Sequence, residues 1–276
     1  MSVDQTAERP QTMPKLVATD LDGTLVRSDG SVSDYTRDVL VKLEEIGVPV
    51  IFVTGRPLRW TRELFEHIGS VGLAIVSNGA LVWDVAADQA RLTRLIEPAL
   101  VAEVTGALAA NLPGLAFATE SLAGWSCEPE FAAHVSDARR PAQRNAPIAE
   151  LIDEPLIKLL ARRHDHDDAD ELLAAAVAVV GDLVNVTHSS FPLLEISAPG
   201  VTKASTLELV CTELGISASE VIAFGDMPND LPMLTWAGTS YAMADAHPSV
   251  VSCASHLAPG HEDDGVARVL AGVFGL

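Results

Sequence analysis

Short apolar runs alternate with helical patterns in the first third of the chain. The runs at residues 16–19, 48–53 and 73–76 are continuous and rich in β-branched side chains, which is typical of buried strands. Residues 33–46 and about 57–68 repeat apolar positions at helical spacing. Ser33 is a suitable N-cap for the first of these helices, and Gly47 ends it. Strand, turn and helix in this order indicate a parallel sheet that is covered on both faces.

The pattern changes after Trp83 and returns near Pro199. Residues 85–196 are rich in alanine and lack strands that end in a glycine turn, which predicts an inserted domain of mixed α and β structure. In it we predict helices at 98–110 and 169–180, and strands near 115–118, 155–161, 183–187 and 193–196. From Pro199 onward the pattern predicts helices at 203–214, after 230 and at 265–273, and strands at 221–224, 240–243 and 255–257.

The predicted fold class is therefore α/β. A Rossmann-like core with helices on both faces of a parallel sheet would comprise residues 15–84 and 197–276. Residues 85–196 would form the inserted α+β domain, and residues 1–14 a flexible tail.

The charge balance excludes several classes of partner. Asp and Glu outnumber Lys and Arg by 38 to 18, giving a net charge of -20. Such a charge repels phosphate backbones, so we expect neither nucleic acid nor an anionic membrane as a partner. The 3 cysteines lack metal-binding or disulfide spacing, and no apolar run is long enough to span a bilayer. These features favour a cytoplasmic protein, and they leave its oligomeric state open.

Polar side chains follow the predicted strands of the core. They are Asp20 and Asp22, Thr54, and Asp226 with Asp230, while Lys203 begins a helix. Because the carboxyl ends of parallel strands share one edge of a sheet, we expect these groups to lie in one crevice, with Asp22 turned toward the same pocket as Asp20. Two unit charges about 4 Å apart repel by roughly 4 kcal/mol at an effective dielectric of 20, so this acidic cluster predicts a hard divalent cation. Oxygen ligands favour magnesium over zinc.

A carboxylate beside magnesium, lysine and threonine is arranged for phosphoryl transfer. Asp20 would attack phosphorus, and Asp22 would act as general acid and then as general base. The Thr54 hydroxyl, the Lys203 ammonium and the backbone N–H groups near Gly23 and Gly55 would bind the phosphoryl oxygens. Asp226 would ligate the metal, and Asp230 would hold a metal-bound water or Lys203.

These residues resemble the four ordered motifs of the haloacid dehalogenase superfamily. The motifs are Asp20-Leu21-Asp22-Gly23-Thr24, Val53-Thr54-Gly55-Arg56, Lys203 and Gly225-Asp226-Met227-Pro228-Asn229-Asp230. Four further segments resemble the Cof-like members, which carry a C2B cap domain: Ser77-Asn78-Gly79-Ala80, Glu195-Ile196, Gly200-Val201-Thr202-Lys203 and Asp264-Gly265-Val266-Ala267. Ala204 stands where many relatives have glycine, which would shift the start of the helix at Lys203 slightly.

The resemblance implies a phosphatase with a Rossmann-like core and a cap at residues 85–196. It implies magnesium bound by Asp20, the Asp22 carbonyl and Asp226, and a role for Asn229 in orienting Lys203 or binding phosphate. Asn78 has two interpretations of equal weight, a substrate ligand or a residue that accepts a left-handed turn. Dehalogenase chemistry is disfavoured, because Asp22 supplies the acid that a phosphate ester's leaving group needs.

Several segments of the predicted cap have a functional and a structural interpretation. The arginines at 139, 140 and 144 would attract an anionic substrate or form a solvated loop, and we favour the loop. The charged run 162–168 is a metal site or an exposed turn before a helix, and we favour the turn. Trp125 and the loop 187–191 are the preferred cap contacts for a substrate.

The sequence thus predicts a magnesium-dependent phosphatase acting on a small phosphorylated metabolite such as a sugar phosphate, through an aspartyl-phosphate intermediate. Alternatives are a phosphomutase, a dedicated sugar-glycerate or disaccharide phosphatase, and a non-catalytic sensor of a phosphorylated ligand.

Overall fold

The computed structural model describes residues 13–68, 72–132, 141–163, 168–189 and 192–276, so most of the predicted tail lies outside the described residues. In chain order the strands of the described residues are β1 (Leu16–Thr19), β2 (Val50–Val53), β3 (Leu73–Val76), β4 (Leu81–Asp84), β5 (Gln89–Thr93), β6 (Leu115–Glu120), β7 (Trp125–Cys127), β8 (Lys158–Arg163), β9 (Asn185–Thr187), β10 (Leu193–Ser197), β11 (Val221–Gly225), β12 (Thr239–Met243) and β13 (His256–Ala258).

The helices of the same ranges are α1 (Asp34–Glu45), α2 (Leu58–Ile68), α3 (Pro98–Asn111), α4 (Pro129–Ala132), α5 (Ala169–Val180), α6 (Lys203–Leu214), α7 (Leu231–Trp236), α8 (Pro248–Cys253) and α9 (Gly265–Phe274). Ser33 caps α1 as predicted, because its hydroxyl accepts the backbone N–H of Thr36 at 3.0 Å.

The large sheet joins the two ends of the chain. Its order is β13-β12-β11-β1-β2-β3-β4-β5, and β1 pairs in parallel with both β2 and β11. Alternate residues of β1 enter different hydrophobic clusters, Val17 on one face and Leu16 on the other, and all four residues of the strand are buried. This explains why the strand is apolar at successive positions. The predicted α/β class is confirmed.

A second, antiparallel sheet is built from the middle of the chain. Its order is β7-β6-β8-β10-β9. Leu108 of α3, Phe117 of β6 and Leu172 of α5 belong to one hydrophobic cluster, so the two long helices pack with this sheet. The result is the α+β insertion expected from the sequence.

The start of the inserted domain requires a correction. The prediction placed it at residue 85, but β4 and β5 form an antiparallel hairpin that extends the large sheet. The insertion therefore begins after Thr93. The apolar pattern missed β5 because every residue of Gln89–Thr93 is exposed or half-buried. Smaller differences affect β8 and β9, which begin at Lys158 and Asn185 rather than at 155 and 183.

Candidate active site

Four loops meet at one edge of the large sheet. They follow the neighbouring strands β11, β1, β2 and β3, whose order places their carboxyl ends side by side. These loops carry Asp226, Asp20, Thr54 and Asn78, and α6 begins next to them with Lys203. The edge of the sheet therefore gathers polar residues from both ends of the chain.

Three carboxylates of this edge form a compact cluster. One oxygen each of Asp20, Asp226 and Asp230 lies within 4.8 Å of the others. Burial raises the pKa of Asp20 well above its usual range, against the opposing effect of Lys203. Burial, followed by the neighbouring Asp230 carboxylate, raises the pKa of Asp226 to about 7. A cluster of this kind is stable at neutral pH only with added positive charge or a retained proton.

Lys203 provides part of that positive charge. Its Nζ atom lies 2.9 Å from Asp20 Oδ1 and 2.7 Å from Asp230 Oδ1, and its side chain is 0% exposed. Burial alone would lower the pKa of Lys203, but the carboxylates of Asp20 and Asp230 outweigh it and raise the pKa above its ordinary value. The ammonium group is therefore charged at neutral pH and bridges two of the three acids.

Asp230 is a support for this arrangement. Its Oδ1 binds Lys203, while its Oδ2 accepts the backbone N–H groups of Asp226 at 3.0 Å and Met227 at 3.1 Å. Both oxygens are thus engaged. The residue fixes the loop after β11 and the position of the lysine at the same time.

Asp226 faces the turn that follows β1. The Thr24 hydroxyl donates to Asp226 Oδ1 at 2.7 Å. Gly23 has φ +69°, and a Cβ atom at this position would overlap the Asp226 carboxylate. Only glycine combines this left-handed backbone with room for the carboxylate.

Comparison with known protein families identifies the family to which the chain belongs. A family model described as haloacid dehalogenase-like hydrolase matches residues 17–270, which is nearly the whole chain. The chain belongs to the haloacid dehalogenase-like hydrolases. The resemblance seen in the sequence motifs is confirmed.

Several relatives of this hydrolase are phosphatases by name. It is 28% identical to the 5-amino-6-(5-phospho-D-ribitylamino)uracil phosphatase YcsE of Bacillus subtilis, over 93% of this chain and 94% of the relative. It is 30% identical to an HMP-PP phosphatase of Serratia proteamaculans, over 94% of each chain. The crystal structure of SMU.1108c from Streptococcus mutans UA159 has the same fold, with a TM-score of 0.82, 22% identity, and coverage of 95% of this chain and 100% of that one. The hydrolase is therefore a phosphatase of this family.

The carboxylate of Asp22 lies outside the acidic cluster of the hydrolase. It forms an ion pair with Arg56, whose Nε donates to Asp22 Oδ2 at 2.6 Å, and its side chain is 54% exposed. Burial is the main cause of the raised pKa values of Asp20 and Asp226, and the Asp22 carboxylate adds to both. The expectation that Asp22 turns toward the same pocket as Asp20 therefore stays a prediction, and the ion pair with Arg56 is the contact that the sequence did not indicate. The strand ends at Thr19, so strand alternation no longer determines where Asp22 points, and the guanidinium at the end of β2 attracts it.

Thr54 and Asn78 are linked through their backbones. The Asn78 N–H donates to the Thr54 carbonyl at 3.0 Å, and the Thr54 hydroxyl accepts the Arg56 N–H at 3.0 Å. Ser77, Asn78 and Gly79 have φ values of +51°, +57° and +103°. The left-handed interpretation of Asn78 is therefore confirmed, and its side chain also has polar partners, because it lies between Asn229 and the inserted domain.

Two buried ionic residues of the insertion reach this edge, and sequence reasoning assigned neither of them a role. They are Lys158 of β8 and Glu195 of β10, which pair at 2.6 Å. Lys158 Nζ donates to the Gly55 carbonyl at 2.6 Å, and Glu195 accepts from the Asn78 amide at 2.5 Å. A signal was present in the sequence, since each is a charged residue inside a predicted apolar strand.

Arg59 makes another contact between the two parts of the hydrolase. It binds the Glu120 carboxylate at 3.0 Å, and its Cζ atom lies 4.8 Å and 5.3 Å from the ring centroids of Trp60 and Trp125. Burial raises the pKa of Glu120 to about 7, although Arg59 and Lys158 oppose the shift. Trp125, predicted as a cap contact, is therefore buried against a core arginine.

The remaining segments singled out in the sequence are only partly described. Arg144 lies at the surface and pairs with Asp153 at 2.7 Å, whereas residues 139 and 140 lie outside the described residues, as do 164–167, 190 and 191. Asp168 caps α5 by accepting the Glu171 N–H at 2.9 Å. His188 is buried and contacts Asp170 at 2.9 Å, and Ser189 donates to Glu195.

Within the described ranges, every helix is too short or too polar to cross a membrane.

Proposed function

We propose that this hydrolase removes phosphate from a small phosphorylated metabolite, such as a sugar phosphate, through an aspartyl-phosphate intermediate. The observation that carries the proposal is the buried cluster of Asp20, Asp226 and Asp230 joined to Lys203. Negative and positive groups packed this closely match the needs of a reaction in which a phosphate dianion approaches a carboxylate.

The cluster fits a magnesium ion. Its side-chain donors are oxygens alone, and the raised pKa values of Asp20 and Asp226 indicate that burial leaves their negative charge incompletely balanced. Asp20, Asp226 and the Asp22 carbonyl would hold the ion, with Asp230 acting through Lys203 or a bound water. When bound, magnesium would offset the repulsion between the attacking carboxylate and the phosphate.

Asp20 and Asp22 have different roles in the two steps of the reaction. In the first step the Asp20 carboxylate attacks phosphorus, the ester P–O bond breaks, and Asp22 gives a proton to the leaving oxygen. In the second step Asp22 takes a proton from water, which attacks phosphorus and releases phosphate from Asp20. Asp22 can do this only after leaving Arg56, with which it now pairs.

Phosphate would be held by groups near the two glycine turns. The Thr54 hydroxyl, the Lys203 ammonium and the backbone N–H groups near Gly23 and Gly55 supply donors for its oxygens. Asn78 and Asn229 lie beside Gly55 and complete the wall of this cradle.

We assign the middle of the chain, from after Thr93 to about residue 196, as a C2B-type cap. It closes over the site and excludes water during transfer. The contacts of Lys158, Glu195 and Glu120 with core residues support this role. The names of the relatives suggest that the phosphate is carried by a small organic molecule. The free state of Cys127, Cys211 and Cys253 supports a reducing compartment such as the cytoplasm.

Turnover of p-nitrophenyl phosphate tests the proposal. With magnesium we expect phosphate release by the wild-type protein and its loss in Asp20→Asn, while Asp38→Asn, an exposed acid on α1, stays active. Phosphate release without a rearranged phosphoester distinguishes a phosphatase from a mutase. A protein that binds phosphorylated ligands but never releases phosphate would be a sensor, and the proposal would fall. A panel of phosphorylated metabolites then identifies the substrate.

A further inference from the structure

A buried ion pair of the inserted domain faces the phosphate cradle. The side chains of Lys158 and Glu195 are 4% and 6% exposed, and their Nζ and Oε2 atoms are 2.6 Å apart. Because desolvation cancels most of the attraction within a buried ion pair, hydrophobic residues would stabilise the fold as well or better. The pair therefore calls for an explanation other than stability.

Each member of the pair contacts a different loop of the core. Lys158 donates to the carbonyl of Gly55, the residue that follows Thr54. Glu195 Oε2 accepts the side-chain amide of Asn78, and its Oε1 accepts the Ser189 hydroxyl. The pair thus joins the loops after β2 and β3 to the inserted domain.

The charge of Glu195 fixes the direction of a chain of amides. Burial would raise the pKa of Glu195, but Lys158 and the surrounding hydrogen bonds outweigh it and hold the pKa below its ordinary value. The ionised carboxylate can only accept, so Asn78 must turn its NH₂ group toward it and its Oδ1 toward Asn229. Asn229 Nδ2 accordingly donates to Asn78 Oδ1 at 3.0 Å.

The amide chain packs directly against the turn at Gly55. A Cβ atom on Gly55 would lie 3.0 Å from Asn78 Oδ1 and 3.3 Å from both Asn229 Nδ2 and Glu195 Oε2. Asn78 is also part of a left-handed segment, whose backbone strain must be compensated by contacts of this kind. A displacement of Glu195 would therefore change the positions of Asn78, Asn229 and Gly55 together.

We propose that Lys158 and Glu195 are positioning residues that complete the phosphate cradle when the inserted domain is closed, Lys158 by fixing the Gly55 carbonyl and Glu195 by orienting Asn78 and Asn229. This inference rests on the proposed phosphatase function. It means that domain closure assembles the binding geometry as well as excluding water.

Glu195→Gln and the double variant Lys158→Met/Glu195→Gln test the inference with p-nitrophenyl phosphate. This substrate gives the cap little to recognise, so a change in its turnover reports on the cradle. We expect kcat to fall about tenfold to a hundredfold and inhibition by orthophosphate to weaken in both variants, with the magnesium requirement close to wild type. The melting temperature should fall in Glu195→Gln, because the buried Lys158 charge loses its carboxylate, and stay closer to wild type in the double variant, which removes both charges. Glu213→Gln, in the exposed pair with Arg91, is the matched control and should leave turnover unchanged.

Rescue provides an independent readout. Asn78→Asp keeps a side chain that tolerates the left-handed backbone but sets a second carboxylate against Glu195, and we expect it to lose most activity. Adding Glu195→Gln to that variant restores a donor opposite the new acceptor and should recover at least about tenfold in kcat, which a general loss of packing would not allow.

Two outcomes overturn the inference. Unchanged kcat and phosphate inhibition in Glu195→Gln would mean that the pair contacts only the natural substrate. Lower melting temperature with normal activity per folded molecule would mean a structural pair. If the wild-type protein hydrolyses nothing, the proposed function fails, and orthophosphate binding measured by calorimetry still decides whether these variants weaken the cradle.

Discussion

Asp20 and Asp22 are separated by one residue but lie in different environments. Asp20 is buried beside Lys203, whereas Asp22 is half exposed and held by Arg56. A nucleophile benefits from a fixed position, and a group that must give and take a proton benefits from freedom to move between partners. Under the proposed function, the Arg56 contact would be a resting position from which Asp22 turns to the leaving oxygen.

Asp22→Asn should slow both chemical steps, because the amide can neither protonate the leaving oxygen nor deprotonate water. We expect kcat to fall by about a factor of 10² to 10⁴. Intact mass spectrometry after mixing with substrate should show phosphorylated protein, since hydrolysis of the intermediate is slowed as well. Turnover at the wild-type rate would contradict the assignment, and Asp38→Asn again serves as the control.

For single residues, the sequence predicted which side chains would lie close together but not the direction of each side chain. Asp20, Asp226 and Asp230 meet because they follow strands of one parallel sheet, a consequence of topology. The direction of the Asp22 side chain depends on turn geometry and on competition for Arg56, which no local pattern contains. Lys158 and Glu195 stayed unassigned because their partners belong to distant loops.

Helix α6 positions the lysine that binds the acidic cluster through its first turn. Thr202 and Ser205 form a reciprocal capping box, in which the Thr202 hydroxyl accepts the Ser205 N–H and the Ser205 hydroxyl accepts the Thr202 N–H, both at 3.0 Å. Lys203 is the next residue after the cap, so the cap fixes the point from which its side chain extends. The helix begins at the predicted residue, so Ala204 does not shift its start.

Thr202→Ala should lower both stability and phosphate affinity. Loss of an N-cap side chain costs about 1 kcal/mol in the free energy of unfolding. Ser33→Ala removes the equivalent cap from α1, whose first turn carries no residue of the acidic cluster, and should cost about as much without affecting activity. Urea unfolding and phosphate inhibition of both variants separate the two effects. Equal inhibition constants would show that the cap of α6 has no part in placing Lys203.

Most elements with buried apolar faces were predictable, although the buried strands β4 and β7 were missed. β1, β2, β3 and β11 are apolar along their length because helices cover both faces of the sheet. β5 and α8 carry few buried side chains and gave no signal. In the insertion, β6 and α5 were predicted close to their observed bounds because their apolar positions face one shared cluster.

At the scale of the whole molecule, the buried carboxylates that repel one another lie together at one edge of the large sheet. In the folded protein the pKa of Asp226 is about 7, against an ordinary value of 3.8, because burial and Asp230 disfavour its charge. At neutral pH the ionised form of Asp226 therefore lowers the free energy of unfolding. Under the proposed function a bound magnesium ion would offset the cost and would couple stability to magnesium.

The metal-free protein should become less stable as pH rises from about 4 to 7. In this window the folded state holds a proton on Asp226 that the unfolded state has lost, so the free energy of unfolding falls with pH. A shift of about three pKa units corresponds to roughly 4 kcal/mol as an upper value. Urea unfolding in a chelator at pH 5 and pH 8 measures it, and magnesium should restore more stability at pH 8. An identical pH dependence in Asp226→Asn would refute this origin.

The hairpin of β4 and β5 has a consequence for the behaviour of the protein at high concentration. β5 is the outermost strand of the large sheet, and it presents Gln89, Arg91 and Thr93 among its exposed or half-buried residues. At the opposite margin, β13 has only 3 residues. One edge strand of the sheet is polar and the other is very short. A strand of another molecule therefore finds few positions for pairing. The sheet is thereby protected from edge-to-edge aggregation, although its interior strands are among the most apolar segments of the chain.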